Sequence, residues 1–437
     1  MSDADRHQTD AAFYRQAAAT IVTRYAGLLI AVLGSVVIAR ALGASGRGGY
    51  AFVVAAVTTV YSVAHLSVEQ ALVALWDDEA GQTSLVGSGL VVALVSGVVG
   101  CVVLVALVVT GMASLPAGVG LWMVVAGGSV LPLWLASLYV NAVLTNDGRF
   151  GVINAVTLMT AVLQVVVLLG LAATGDLTVG AVVLVWAAAT ALPLLVQLPA
   201  VMRHPGIGRP RLAVMRKLVG LGLRYHLGMT ALSLVLRVDV LLLASRVSVD
   251  QVGVYSLGVT IVELVLMATN SYAQVAVQVQ IRGEPRATSG FTAHVARTSL
   301  VLAVVMLGVI WATGPFLVVR VFGQSFRGAT SVIAMLSPGM AALALQRPLG
   351  IYVTRLNRPW PVTIGMVAAL AANVLLNLVL IPVWGILGAA VASMLVYVCI
   401  AAWTATWFVR SGEVAARELR PRLSDLQQVI TSVRGGR

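Results

Sequence analysis

Charged residues are scarce in this chain of 437 residues, at 10%, against roughly 25% in a soluble domain. With 59% hydrophobic residues and a mean hydropathy of +0.98, the shortage excludes a soluble globular protein and predicts an all-α polytopic membrane protein. Cysteine is nearly missing as well. Cys101 and Cys399 both fall in apolar runs, which excludes a disulfide framework, gives no metal site, and leaves no cofactor to expect. Lysine occurs once, as Lys217 between Arg216 and Leu218. A phosphate-binding loop needs Gly-Lys-Ser/Thr, so ATP hydrolysis within the chain is excluded. The first apolar run is followed by no small-residue cleavage site and is read as a retained span.

What the chain does have is membrane-length apolar runs. Twelve are predicted, near 17–41, 50–75, 84–112, 117–145, 151–174, 178–201, 219–246, 253–280, 296–320, 328–354, 361–382 and 384–409. Each is long enough for a hydrocarbon core of about 30 Å at about 1.5 Å per residue. The second half also echoes the first. Gly48-Gly49-Tyr50-Ala51 returns as Gly253-Val254-Tyr255-Ser256, Asn146-Asp147-Gly148-Arg149-Phe150 as Asn357-Arg358-Pro359-Trp360, and Val179-Gly180-Ala181 as Leu387-Gly388-Ala389, at offsets of 205, 211 and 208 residues. Duplicated halves predict two pseudo-symmetric six-helix bundles, the build of a transporter that rocks about a shared site.

The expected division is a cytoplasmic N-terminal segment 1–16, a first bundle 17–201, a basic linker 202–218, a second bundle 219–409 and a basic tail 410–437. Lys and Arg number 19 in segments on the side of the termini and about five opposite, which places both termini in the cytoplasm. The net charge of +12 thus lies mostly beside spans. Attraction to anionic lipid headgroups, at about 1 kcal/mol per basic residue, explains it better than a nucleic-acid partner does.

Ionisable residues inside an apolar span cost free energy and mark function by default. Arg24 and Arg224 take equivalent places in the two halves, within reach of the inner surface by snorkelling. Arg237 lies too deep for that, at the depth expected for Glu263 on the next span, so the two are expected to pair. Asp239, two positions on, turns to nearly the opposite face. Tyr61, His65 and Glu69 follow at i, i+4 and i+8 on one face, and Glu263, Asn270, Gln274 and Gln278 form a similar stripe. Such stripes are expected to face a watery cavity, the alternative being hydrogen-bonded helix glue. Asn373 and Asn377 stand one turn apart, ahead of a small-residue face at Gly385-Ile386-Leu387-Gly388-Ala389-Ala390.

Several of these segments carry a family likeness. Ile38-Ala39-Arg40-Ala41-Leu42-Gly43 with Gly48-Gly49-Tyr50-Ala51, Arg237-Val238-Asp239 before Gly253-Val254-Tyr255, Val321-Phe322-Gly323 with Phe326, and Asn373, Asn377, Ile381-Pro382, Gly385 and Gly388-Ala389-Ala390 together resemble bacterial polysaccharide-biosynthesis flippases. These are Wzx-type members of the multidrug/oligosaccharidyl-lipid/polysaccharide (MOP) exporter superfamily. The resemblance implies a MATE-like, V-shaped pair of bundles in the bacterial inner (cytoplasmic) membrane. Its implied activity is movement of an undecaprenyl-pyrophosphate-linked oligosaccharide to the outer leaflet by alternating access. It further implies a cationic cavity for the pyrophosphate, with Arg24, Arg224 and Arg237 as candidates and Arg40, Arg47 and Arg347 behind them. The rigid guanidinium fork suits phosphate.

Glu69, Asp239 and Glu263 are candidate coupling groups or charge partners, and His65, Asn270, Gln274 and Asn373 candidate cavity residues. Outward movement of about two negative charges through about 100 mV would release on the order of 4 to 5 kcal/mol, and coupled entry of a proton or sodium ion is the other source of drive. Lipid-linked oligosaccharide, membrane lipids and a polysaccharide synthesis complex are the expected partners. The competing readings are a multidrug or cation antiporter, which wants an acidic cavity, and a peptidoglycan-precursor flippase, which usually has fourteen spans. A membrane glycosyltransferase is disfavoured because every outer loop is short.

Overall fold

A computed structural model describes residues 3–76, 81–282, 288–355, 359–412, 414–422 and 425, with side chains other than those of 3–22, 24, 274–282, 354–355, 359 and 412. The described residues are helical almost throughout. The chain runs as α1 (Asp3–Ala64), α2 (Val68–Ala74), α3 (Gln82–Val109), α4 (Leu121–Gly128), α5 (Leu131–Asn146), α6 (Phe150–Thr174), α7 (Val179–Arg203), α8 (Leu212–Val235), α9 (Val238–Ala244), α10 (Val249–Arg282), α11 (Ser289–Leu317), α12 (Ala329–Arg355) and α13 (Pro359–Gly412). Among the described residues ten helical stretches are long and apolar enough to cross a bilayer.

Two of the ten are too long for one crossing. The stretch Trp360–Ser411 has 52 residues and would run about 78 Å at about 1.5 Å per residue. It is interrupted at Gly385, and Tyr25–Ala64 at Gly43. Gly43 (φ 65°, ψ −167°) and Gly385 (φ 55°, ψ −130°) adopt backbone conformations that a Cβ disfavours, so the chain turns there without loop residues.

The chain forms two compact units, Met1–Thr230 and Ala231–Arg437. In the first, the core gathers Val68, Ala71, Leu72, Leu135, Tyr139, Val140, Leu144, Val201 and Leu218 from α2, α5, α7 and α8. α3 shows the membrane pattern. Its buried face includes Gly89, Ala93, Gly97 and Gly100, while Val95, Val98, Val99, Val102 and Val103 are exposed. Lipid solvates valine as well as the core does, so close backbone approach over small residues, not burial of large ones, holds the helix. Segment 202–218, expected as a linker, is pinned to the start of α3 in this unit. Gly208 N–H donates to the Thr83 carbonyl at 2.8 Å and Arg211 N–H to Ser88 Oγ at 3.1 Å.

The second unit buries Ala293, Ala296, Leu349, Tyr352, Val353 and Phe408, with the Tyr352 and Phe408 rings edge-on at 5.0 Å. Its tail folds back onto α11. Arg297 Nε and Nη2 donate to the two oxygens of Asp425 at 3.0 and 3.4 Å, and Nη1 donates to the Glu418 carbonyl at 2.5 Å. His294 Nδ1 lies 3.4 Å from Asp425 Oδ1, and Glu418 pairs with Arg422. The described part of the basic tail is clasped by a buried, two-pronged ion pair. Arg434 and Arg437 lie outside the described residues.

Burial pushes the Asp425 carboxyl up, but hydrogen bonds from Arg297 and the Arg422 amide, with the charges of Arg297 and His294, outweigh it and leave the group below the usual aspartate range. A carboxyl depressed on folding stabilises the clasp fully above its unfolded pKa, and that contribution disappears as pH falls through the folded pKa. Amide protection over 414–422, taken relative to the intrinsic exchange rate at each pH, should therefore fall on acidification below the usual carboxylate range. Arg297→Leu, which strands a buried carboxylate, should open the clasp by on the order of 3 kcal/mol at neutral pH; unchanged exchange in that variant would show that the pair does not hold the tail.

Candidate functional site

In the first unit the span expected over 50–75 is not one continuous helix. α1 ends at Ala64 and α2 begins at Val68. Leu66 (φ 49°) and Ser67 (φ 50°) take the left-handed conformation between them, at a cost of order 1–3 kcal/mol each that surrounding structure must outweigh. The surroundings are visible. Ser67 N–H donates to His65 Nδ1 at 3.1 Å, and the Tyr139 hydroxyl donates to the His65 carbonyl at 2.5 Å. Thr230 Oγ1 donates to the Ser62 carbonyl at 2.8 Å. α8 crosses so closely that a Cβ at Gly222 would stand 2.4 Å from the Leu66 carbonyl oxygen.

The break collects ionisable groups. His65 Nδ1 lies 3.3 Å from Glu69 Oε2, with the two side chains 9% and 12% exposed. The His226 ring stands edge-on to His65 at 5.0 Å, and its Nδ1 is 3.2 Å from both Ser67 Oγ and Thr230 Oγ1. His65 Nδ1 cannot at once accept from Ser67 N–H and donate to Glu69, so which ring nitrogen carries the hydrogen selects between the two. Tyr61 lies in a stack, 6.1 Å from His65 on one side and 4.0 Å from Trp134 on the other. His226 was not singled out in the sequence, although an ionisable residue two positions after Arg224 in an apolar run was the available signal.

The second unit has its own break, at Leu236 and Arg237 between α8 and α9. Arg237 caps α9, and its Nη1 lies 3.6 Å from Glu263 Oε1 on α10, with side chains 40% and 17% exposed. Asp239, in the first turn of α9, is buried. Its oxygens accept from Val240 N–H at 2.8 Å, from Ser393 Oγ at 3.2 Å and from the Tyr255 hydroxyl. The network continues through Ser393 to Asn373 Nδ2 at 3.4 Å, and Asn377 Nδ2 donates to the Asn373 carbonyl at 2.8 Å. Asn373 is 0% exposed, so in this conformation it ties helices together. Asn270 is half-buried on α10, and its Oδ1 is buried without a hydrogen-bond partner among the described residues.

Of the other arginines, Arg224 is exposed on α8, Arg40 on α1 and Arg347 on α12. Arg47 is buried, its Nη1 donating to Ser35 Oγ at 2.8 Å. The side chains of Arg24, Gln274 and Gln278 lie outside the described residues.

With ten membrane-length helical stretches among the described residues, and ionisable side chains at broken helices, the chain is a multi-pass membrane protein. Its fold is shared with an inward-facing multidrug resistance MATE family transporter of the MOP superfamily, at 12% identity and TM-score 0.67 over 90% of this chain and 98% of that one. The lipid II flippase MurJ, in an inward closed conformation, matches at 11% identity and TM-score 0.69 over 93% and 89%. The Vibrio cholerae MATE transporter VcmN in the bent form matches at 12% and 0.60 over 92% and 98%. At such identities the likeness concerns fold. No curated protein sequence matches the chain. The family described as polysaccharide biosynthesis protein matches residues 37–331, more than half of the chain, and the chain belongs to it. Of the resemblance read from the motifs, the polysaccharide-biosynthesis family is thus shown, and the fold is the one shared with these MATE and MurJ structures.

Tyr255→Phe should cost about 1–3 kcal/mol by withdrawing a donor from the buried Asp239 carboxylate, seen as a lower melting temperature of the purified protein. An unchanged melting temperature would show that the hydroxyl does not support Asp239.

Proposed function

We propose that this protein is a flippase of the bacterial inner membrane, with twelve crossings, that moves an undecaprenyl-pyrophosphate-linked oligosaccharide from the inner to the outer leaflet by alternating access. Arg24, Arg224 and Arg237 meet the pyrophosphate. The observation that carries the reading is Arg237 at the break between α8 and α9, in a chain of the polysaccharide biosynthesis family. A guanidinium deep in a span needs a compensating partner. Glu263 is near enough to serve, yet at 3.6 Å, with Arg237 still 40% exposed, the pair is loose enough for the guanidinium to exchange that carboxylate for a phosphate oxygen, which it can bind with two donors.

The same exchange supplies coupling. A Glu263 displaced by phosphate is a bare carboxylate that favours uptake of a proton or sodium ion. At the other break, the grouping of His65, Glu69 and His226 offers two imidazole rings and one carboxylate, a set with few oxygen ligands for sodium and with groups able to carry a proton. This is secondary transport and not enzymatic chemistry. An organic-cation antiporter would place an unpaired carboxylate where Arg237 stands.

The test is appearance of labelled undecaprenyl-pyrophosphate oligosaccharide at the outer face of proteoliposomes. Arg237→Ala and Arg224→Ala should each slow it about tenfold or more in preparations that elute as the wild type does on size exclusion. Equal rates in wild type and both variants would remove the arginine assignment, and no translocation by the wild type would remove the flippase reading.

A further inference from the structure

Inside the first unit lies a cavity of about 250 Å³ that neither break accounts for. It is lined by Tyr61, Trp134, Ser137, Asn141, Thr160 and Gln197, together with Thr157, Thr190 and Pro193. The elements that build it are α1, α5, α6 and α7. One end is an aromatic platform. The Tyr61 and Trp134 rings stack at 4.0 Å with 21° between their planes, and Trp186 braces Trp134 edge-on at 5.9 Å.

The polar wall is ordered by its own hydrogen bonds. Ser137 Oγ donates to Gln197 Oε1 at 3.2 Å, and Gln197 Nε2 donates to Asn141 Oδ1 at 3.0 Å. Gln197 is 2% exposed, so this relay is built in and not a surface accident. It leaves the Asn141 amide N–H groups without a partner among the described residues. The threonines do the opposite. Thr157, Thr160 and Thr190 donate to the carbonyls of Ile153, Val156 and Trp186 at 2.8, 2.9 and 2.8 Å. Their protons are spent, so each presents only lone pairs. The wall thus offers donors at Asn141 and acceptors at three hydroxyls.

Among the described residues, no carboxylate, histidine, lysine or arginine lines the cavity. A cationic drug would leave its charge unpaired there, and so would a phosphate. The volume is below the roughly 300–1,000 Å³ of pockets that enclose drug-sized ligands, which suits one ring and not a whole glycan. A small, neutral group with an apolar face and several hydroxyls fits all of these conditions. We propose that this cavity is a subsite for one neutral sugar ring of the transported glycan, with the ring's C–H face against the Trp134 indole, which Tyr61 backs from its other side, and its hydroxyls on Asn141 and the threonines. The proposal deepens the flippase reading and rests on it for the statement that the sugar belongs to the cargo.

Direct binding separates the two. The purified full chain in nanodiscs is titrated with a panel of neutral methyl glycosides, with sodium pyrophosphate and tetraphenylphosphonium as charged probes, by saturation-transfer NMR. At least one glycoside should bind, and Asn141→Leu or Thr160→Val should weaken it about tenfold while leaving pyrophosphate binding and the melting temperature unchanged. Trp134→Phe, which keeps a platform, should retain more binding than Trp134→Ala. Glycoside binding that is absent in the wild type, that is equal in wild type and both polar variants, or that is displaced by tetraphenylphosphonium would each overturn the subsite. If the wild type binds glycosides but translocates no lipid-linked oligosaccharide, the subsite stands and the flippase reading fails. If it translocates the lipid-linked oligosaccharide and binds no glycoside, the reverse holds.

Discussion

Within a bilayer the backbone has no water to turn to, so every N–H and C=O must find its partner inside the protein. Continuous helix meets that demand automatically. Each interruption therefore needs donors and acceptors brought from elsewhere, and in this chain the interruptions are where the chemistry collects. At Leu66 and Ser67 the freed groups are met by the Tyr139 hydroxyl and the His65 ring, while Thr230 bonds the neighbouring Ser62 carbonyl. At Arg237 they are met by a tight turn, with Arg237 N–H on the Leu234 carbonyl at 3.0 Å, and by the Asp239 carboxylate on Val240 N–H. Polar side chains recruited to satisfy a broken backbone are the same ones that hold charge at depth. The gap in the helix and the ionisable cluster are one feature.

Most of the architecture was legible because the bilayer imposes a length. Ten membrane-length stretches coincide with the apolar runs, and the two that exceed one crossing turn at Gly43 and Gly385, residues that announce a bend. Depth was legible in the same way, so counting residues from the span ends sufficed to set Arg237 and Glu263 level. What could not be read was the break at Leu66-Ser67. Neither residue is a helix breaker, and the left-handed geometry is held by Tyr139 and the α8 residues around Gly222, which are distant in sequence. The partners of Asp239 were hidden for the same reason, since Ser393 lies 154 residues away.

The two units differ more than their sequence echo implies. The Gly48–Ala51 and Gly253–Ser256 segments correspond, but the breaks do not. One falls after the echoed segment, between α1 and α2, and the other before it, between α8 and α9. Their charges differ too: two histidines and a carboxylate in the first unit, an arginine and two carboxylates in the second. A duplicated scaffold with unlike chemistry in its two copies suits a cargo that is itself unlike at its two ends.

That asymmetry bears on how the proposed cargo is read. A pyrophosphate is the same in every glycan carried on a lipid pyrophosphate, so on the proposed reading Arg237 confers affinity for that class and none for the sugar. Discrimination among sugars has to come from groups that make directional bonds to hydroxyls, because unmet polar groups in a closed site are costly. Asn141, Gln197, Ser137 and the threonines of the same cavity are of that kind, and among the described residues no charged side chain lines it. On the proposed reading, affinity and selectivity are carried by different units of one chain, so that the sugar-reading surface can change between related proteins while the proposed pyrophosphate contact is kept.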